Sequence, residues 1–220
     1  MSYRICRWLI DGRALAGLVV VCLLTTLTAG CASLGFGGSS AGSGDIETQS
    51  ITSDPAGMLG PDVRCAVYRH RSGGTATIIL SDLTPQQLAG GAFSEPCQVV
   101  CIDLLWDPKA GRTPMDSSAT NCTIRHIVLN GEQTEIGVYG GAGFLKPSSK
   151  LGHDSFKGSV SSSTMKLMQS TPGFADRLGS CSLTGSFQAN QDPELLAAAA
   201  IALNSEVSRR LDRLCLVVSD

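Results

Sequence analysis

Aromatic and charged side chains are scarce in this chain of 220 residues. Phe, Trp and Tyr make up 5% of it, and Asp, Glu, Lys and Arg make up 16%. Few aromatics, together with 25 glycines, are typical of a turn-rich β protein rather than a large helical one. The low charge excludes a long, highly charged tail, whereas the hydrophobic content of 43% is enough for a folded core.

Runs of basic residues are also missing. The chain has 17 Lys and Arg against 19 Asp and Glu, and no stretch concentrates the positive charge. Proteins that bind nucleic acids need such a concentration to neutralise phosphate groups. We therefore expect no nucleic-acid partner.

The sequence lacks the signatures of common catalytic and cofactor sites. No predicted strand is followed by the Gly-x-Ser-x-Gly elbow of a serine hydrolase. The stretch Gly140-Gly141-Ala142-Gly143 lacks the Lys and Ser/Thr of a phosphate-binding loop, so we interpret it as a β-bulge or a close backbone contact within a strand. We expect no cofactor, no metal site and no assignable catalytic residue.

The first 30 residues have the layout of an export signal. Residues 1–13 contain three arginines and one aspartate, and residues 14–29 contain no charge. This apolar stretch would span about 24 Å as a helix, which is less than the ~30 Å hydrocarbon core of a bilayer. The pattern predicts a removable signal peptide rather than a permanent transmembrane helix.

The end of this segment, Leu27-Thr28-Ala29-Gly30-Cys31, resembles the lipobox of bacterial lipoproteins. In that family the cysteine thiol carries a diacylglycerol, the signal is cut just before it, and the new amino group is acylated. The resemblance covers residues 1–31 and departs from the family at Thr28, where leucine is preferred. It implies a lipidated Cys31 that anchors the protein in the cell envelope, with Ala32 favouring the outer over the inner membrane. The domain would then lie in the periplasm or at the cell surface.

The remaining chain divides into three parts. Residues 31–59 contain the lipidated cysteine and a Gly/Ser-rich stretch, which predicts a flexible tether. Residues 60–190 contain the β-rich domain, and residues 191–220 contain a C-terminal helix that packs on it.

Alternating or continuous apolar segments predict seven or eight short strands, at residues 62–71, 75–80, 97–106, 121–129, 136–145, 155–160, 164–168 and 181–189. The segment 97–106 is apolar on both faces, which predicts a central strand covered on both sides. Short helices are expected after Thr84, which has capping-box spacing, and at residues 173–178.

The clearest helix lies at the C-terminus. Asp192 is suited to cap it, Pro193 to begin it, and an apolar stripe continues to Leu214, which predicts a helix over residues 193–215. The predicted fold is mainly β: a single β-sandwich or β-roll with a packed C-terminal α-helix.

Six cysteines follow Cys31, namely Cys65, Cys97, Cys101, Cys122, Cys181 and Cys215. An even number in an exported chain favours disulfide bonds, with buried free thiols and a metal site as alternatives. Cys97 and Cys101 lie about 13 Å apart on one extended strand, so they cannot pair with each other. The pairing is otherwise open.

Histidines and carboxylates are the remaining candidates for chemistry. We interpret His126 as a hydrogen-bonded structural residue, and His153-Asp154 as a solvated turn rather than a catalytic dyad. Asp103, Asp107 and Asp116 surround the loop after the central strand, where paired carboxylates could perform acid–base chemistry. Asp103 lies on an apolar strand and needs a partner, for which Arg125 is the candidate.

The sequence therefore predicts a lipid-anchored envelope protein whose domain is a non-catalytic binding or structural module for an envelope protein, a glycan or a small ligand. The alternative is an envelope hydrolase that uses the carboxylates around residues 103–116.

Overall fold

The computed structural model describes residues 41–52, 57–93, 96–108, 119–130 and 135–218. The predicted signal peptide, the lipobox and Cys31 lie outside the described residues, as does Asp116. These described residues belong to one compact unit.

Within the described ranges the structure has nine strands and two α-helices. The strands are β1 (Ser43–Ser50), β2 (Met58–Leu59), β3 (Cys65–Arg71), β4 (Thr75–Ser81), β5 (Cys97–Leu104), β6 (Cys122–Leu129), β7 (Ile136–Pro147), β8 (Ser155–Ser170) and β9 (Cys181–Gln191). The helices are α1 (Pro85–Gly90) and α2 (Pro193–Leu211).

The strands form one sheet that closes on itself. Their order is β2-β1-β9-β3-β4-β5-β6-β7-β8, and β8 pairs in addition with β9. All neighbours are antiparallel except β3 and β9, which run parallel over Val67 and Tyr68. The predicted β-roll with a C-terminal helix is confirmed, with nine strands in place of seven or eight.

The closed sheet separates two apolar cores. One fills the interior of the roll and contains its largest buried rings, those of Tyr68, Tyr139 and Phe156. The other lies on the outer face, where α1 and α2 cover the sheet. Strand β5 contributes Val100 and Ile102 to the interior core and Val99 to the outer one, so the predicted central strand is covered on both sides.

Both predicted caps form. The backbone N–H of Gln87 donates to Thr84 Oγ1 at 3.3 Å, and the backbone N–H of Thr84 donates to Gln87 Oε1 at 3.0 Å. These two reciprocal hydrogen bonds form a capping box. Asp192 accepts a hydrogen bond from the backbone of Leu195 at the start of α2. That helix ends at Leu211 rather than at residue 215, because Asp212 adopts a left-handed conformation with φ of 50°.

The predicted tether is wrong over its last part. Residues 43–50 form β1, which pairs with β9 along its whole length, and Met58–Leu59 add a short strand beside it. Alternate positions of β1, at Ile46, Thr48 and Ser50, are buried. Sequence alternation failed to reveal this strand because two of these three inward-facing residues are polar.

The segment between β8 and β9 also differs from the prediction, since residues 173–178 form no helix. The hydroxyl of Thr171, just before this segment, accepts a hydrogen bond from the backbone N–H of Ile136. Asp176 accepts hydrogen bonds from two backbone N–H groups and from Tyr139, which stabilises a turn. The two strands predicted at residues 155–160 and 164–168 are one strand with a register shift, β8.

Candidate binding groove

The six cysteines that follow Cys31 are all buried and form no disulfide bond in the structure, which is the arrangement of the buried-thiol alternative. The disulfide bonds stay a prediction. Cys122 and Cys181 lie in the interior core, and the other four lie in the outer core. The strands keep the outer cysteines apart. Cys65 on β3 faces Ser81 on β4, which in turn faces Val99 on β5. Two strand spacings of about 4.8 Å each separate β3 from β5, whereas a disulfide needs Cα atoms within about 7 Å.

Burial makes most of these thiols unreactive. It raises the pKa of Cys65, Cys97 and Cys122 to about 12 and that of Cys181 to about 11. Burial also raises the pKa of Cys101. The thiolate is the nucleophilic and metal-binding form, so these five residues act as small apolar core residues.

The predicted pairing of Asp103 with Arg125 is confirmed. Arg125 Nη1 lies 3.2 Å from Asp103 Oδ2 and also donates to the backbone carbonyl of Val217 at 3.1 Å. The hydroxyl of Thr77 donates to Asp103 Oδ1 at 2.9 Å. A third of the Arg125 side chain remains exposed.

The structure describes two of the three candidate carboxylates. Asp103 is buried and bound to Arg125 and Thr77. Asp107 is half-buried, and Asp116 lies outside the described residues. Asp103 therefore serves as the anionic partner of Arg125.

His126 is a structural residue, as the sequence predicted. It is fully buried between Thr48, whose Oγ1 lies 2.9 Å from Nδ1, and Gln98, whose Oε1 lies 3.0 Å from Nε2. The Gln98 amide nitrogen donates to the carbonyl of Gly60, so its oxygen must accept from His126 Nε2–H. Nδ1 then accepts from the Thr48 hydroxyl. Burial lowers the pKa of His126 to about 4, so the ring is neutral near pH 7.

The other two histidines are on the surface. His70 is exposed on β3, and His153 and Asp154 are exposed in the turn before β8. The interpretation of His153-Asp154 as a solvated turn is confirmed, and the backbone carbonyl of His153 accepts a hydrogen bond from Tyr68.

A groove of about 630 Å³ lies on the outer face of the roll. The segment of residues 212–218 after α2, which we call the C-terminal tail, forms one side, and strands β6, β7 and β8, with Ser180 just before β9, form the rest. The lining consists of Thr123, Ile124, Arg125, Val138, Gly140, Gly141, Thr164, Met165, Lys166, Met168, Gln169, Ser180, Cys215, Leu216 and Val217.

Two glycines of β7, Gly140 and Gly141, belong to the lining of the groove. A Cβ atom on Gly140 would come within 2.9 Å of Met168 Cγ, and one on Gly141 would clash with the backbone of Thr164. The predicted close backbone contact at these glycines is confirmed. Because they carry no side chains, strand β8 can pack closely against β7 at this point.

The chemistry of the lining is apolar and cationic. Arg125 and Lys166 are its charged residues, and the described lining contains no carboxylate. Met168 and Leu216 are 58% and 69% exposed, respectively, which is unusual for large apolar side chains.

Side-chain contacts hold the C-terminal tail in place. Asn204 of α2 accepts hydrogen bonds from the backbone N–H groups of Val217 and Val218, and Ser208 bonds to the backbone of Cys215 in both directions. The Cys215 thiol donates to Gln169 Oε1 of β8 at 2.6 Å. The sequence predicted helix up to residue 215, so it gave no sign that this segment turns back to build a groove.

The described residues contain no cluster of three or more His, Cys, Asp or Glu that could hold a metal ion. Among the helices described, none has the length and hydrophobicity needed to cross a membrane. Comparison with protein-family models, curated proteins and solved structures gives no match.

Proposed function

We propose that this chain is a lipid-anchored protein of the bacterial cell envelope, and that its β-roll is a non-catalytic binding module. The observation that carries the binding role is the lining of the groove, which is apolar, contains Arg125 and Lys166, and has no described carboxylate. The lipobox resemblance at Leu27–Cys31 supports the membrane anchor. Membrane attachment through acyl chains requires no spanning helix.

The groove chemistry favours a ligand with an apolar body and an acidic group. The exposed side chains of Met168 and Leu216 offer apolar contact area. An arginine held in place by Asp103 offers hydrogen bonds suited to a carboxylate or phosphate. The hydrolase alternative gains no support from this geometry, because the Asp103 carboxylate is buried and bound to Arg125 and Thr77.

The anchor is tested by replacing the thiol that would carry the lipid. We expect Cys31→Ser to abolish incorporation of labelled palmitate, to leave the precursor uncut and to remove the mature form from the membrane fraction. Cys22→Ser, the same change within the apolar stretch, is the matched control and should leave all three unchanged. Normal processing of the Cys31→Ser variant would overturn the anchor.

The groove is tested in the intact envelope by photo-crosslinking. A benzophenone amino acid is placed in the full chain at Leu216, inside the groove, or at Ile201, on the outer side of α2; both side chains are 69% exposed. We expect a discrete adduct from position 216 alone, whose mass distinguishes a protein from a glycan or a small ligand.

A second change shows whether that adduct depends on the groove. Gly140→Val should remove it, because the added side chain displaces Met168 into the groove. Ala142→Val, on the same strand but outside the lining, should preserve it. An adduct indifferent to Gly140→Val, or no adduct from position 216, would overturn the groove as the binding site.

A further inference from the structure

One side of β8 has no strand partner at its C-terminal end. The strand pairs with β7 over most of its length, but with β9 only through Val160 and again at Met165. Residues 166–170 therefore pair with β7 alone, and no described strand covers their other edge. An edge of this kind presents backbone N–H and C=O groups to any extended chain beside it.

This open edge borders the groove. Lys166, Met168 and Gln169 belong to both the edge and the lining. The C-terminal tail approaches the edge through the contact of Cys215 with the Gln169 side chain, not through a strand ladder. Backbone groups, apolar side chains and positive charge thus meet at one place.

Charge argues against a second copy of this chain as the partner. Antiparallel pairing of two such edges would place two Lys166 and two Arg125 side chains in one interface, with no carboxylate from either lining. An excess of like charge in an interface disfavours association.

We propose that the groove and the open edge of β8 together bind an extended acidic segment of a partner protein by strand addition. This inference rests on the proposed function, because it names the ligand class of the same groove. The peptide backbone pairs with residues 166–170, an apolar side chain packs against the exposed Met168 and Leu216, and a carboxylate meets Arg125 and Lys166. A lipid or a glycan would fill the cavity without pairing with the strand edge.

The test uses the full-length lipidated protein in phosphatidylcholine nanodiscs and four soluble probes. The first is an eight-residue peptide of alternating valine and glutamate with blocked ends. The second is the same peptide with N-methyl groups on alternate amides, and the third has lysine in place of glutamate. The fourth is decanoate, an apolar anion without peptide groups.

We expect the acidic peptide to bind and to slow hydrogen exchange of amides within residues 166–170. The N-methylated and lysine peptides should bind at least about fivefold more weakly. Lys166→Glu should weaken binding of the acidic peptide by a similar factor. Lys157→Glu, an equally exposed change on the same strand but outside the lining, should not.

The outcomes separate this inference from the broader one. Binding of decanoate in the groove, with no binding of the acidic peptide at millimolar concentration, overturns the strand-addition inference and leaves the groove as a ligand site. Equal binding of the N-methylated peptide, or unchanged exchange at residues 166–170, overturns it as well. The absence of a crosslinked adduct from position 216 overturns the proposed binding function itself.

Discussion

The buried histidine makes the stability of this fold depend on pH in a way that the structure allows us to calculate. His126 hydrogen-bonds with Thr48 of β1 and Gln98 of β5, so it connects the first described strand to the centre of the sheet. Burial lowers its pKa from 6.5 to about 4. The unfolded chain, with the higher pKa, binds the proton more tightly, and stability must therefore fall as the pH drops from about 6.5 towards 4.

The size of the loss follows from the two pKa values. With 6.5 in the unfolded chain and about 4 in the folded one, lowering the pH from about 7.5 to about 5 removes about 2 kcal/mol from the free energy of unfolding. Complete protonation would remove about 3 kcal/mol. Either amount is a large share of the roughly 5–15 kcal/mol by which single domains are stable.

Urea unfolding at a series of pH values, for the wild type and for His126→Gln, measures this loss. The variant lacks the titrating ring. Between about pH 7.5 and about pH 5, its free energy of unfolding should therefore fall by about 2 kcal/mol less than that of the wild type. Carboxylates with lowered pKa values, such as Asp176 and Glu206, contribute equally to both proteins and cancel in the difference. His70→Gln, an exposed histidine, is the control and should behave as the wild type. Parallel pH curves for the wild type and His126→Gln, or an NMR titration of His126 near 6.5, would refute the reasoning.

Three further predictions concern the packing of the roll. Native protein treated with iodoacetamide should leave the five thiols of raised pKa unmodified, and all six described cysteines should react after unfolding in the absence of reductant; mass spectrometry counts the adducts, and bridged pairs would contradict the free thiols. Asp103→Asn should cost about 1–3 kcal/mol in urea unfolding because Arg125 loses its ionic partner, and an unchanged midpoint would show that the pair does not stabilise the fold. Gly137→Ala should destabilise by a similar amount, since its Cβ would occupy the position of the Phe174 ring, whereas Gly90→Ala, with open space around it, should not.

The sequence could predict the elements whose signal is local. The capping box at Thr84 and the cap at Asp192 each depend on a few adjacent residues, and both form. Strand β5 could be predicted in the same way, because its segment is apolar on both faces. Even the partner of Asp103 could be named, because a buried carboxylate requires a cation and Arg125 lies on a predicted strand nearby in sequence.

What the sequence could not predict is long-range. Strand β1 has polar inward-facing residues that make sense only when Thr48 meets His126, 78 positions away. Cysteine counts also say nothing about strand order, which places Cys65 on β3, two strands away from Cys97 and Cys101 on β5. The groove depends on the C-terminal tail returning to β6, a path that no periodicity encodes.

The ion pair of Asp103 and Arg125 connects the stability of the fold to the groove. An exposed arginine usually loses side-chain entropy when it binds an anion, because its long chain must be ordered. Here Asp103 and the Val217 carbonyl already fix Nη1 of Arg125 in the folded protein, while a third of the side chain faces outward. A ligand carboxylate would therefore meet a guanidinium whose position is already set by folding. The carboxylate that the sequence marked as a candidate for catalysis is better understood as the residue that orients this cation.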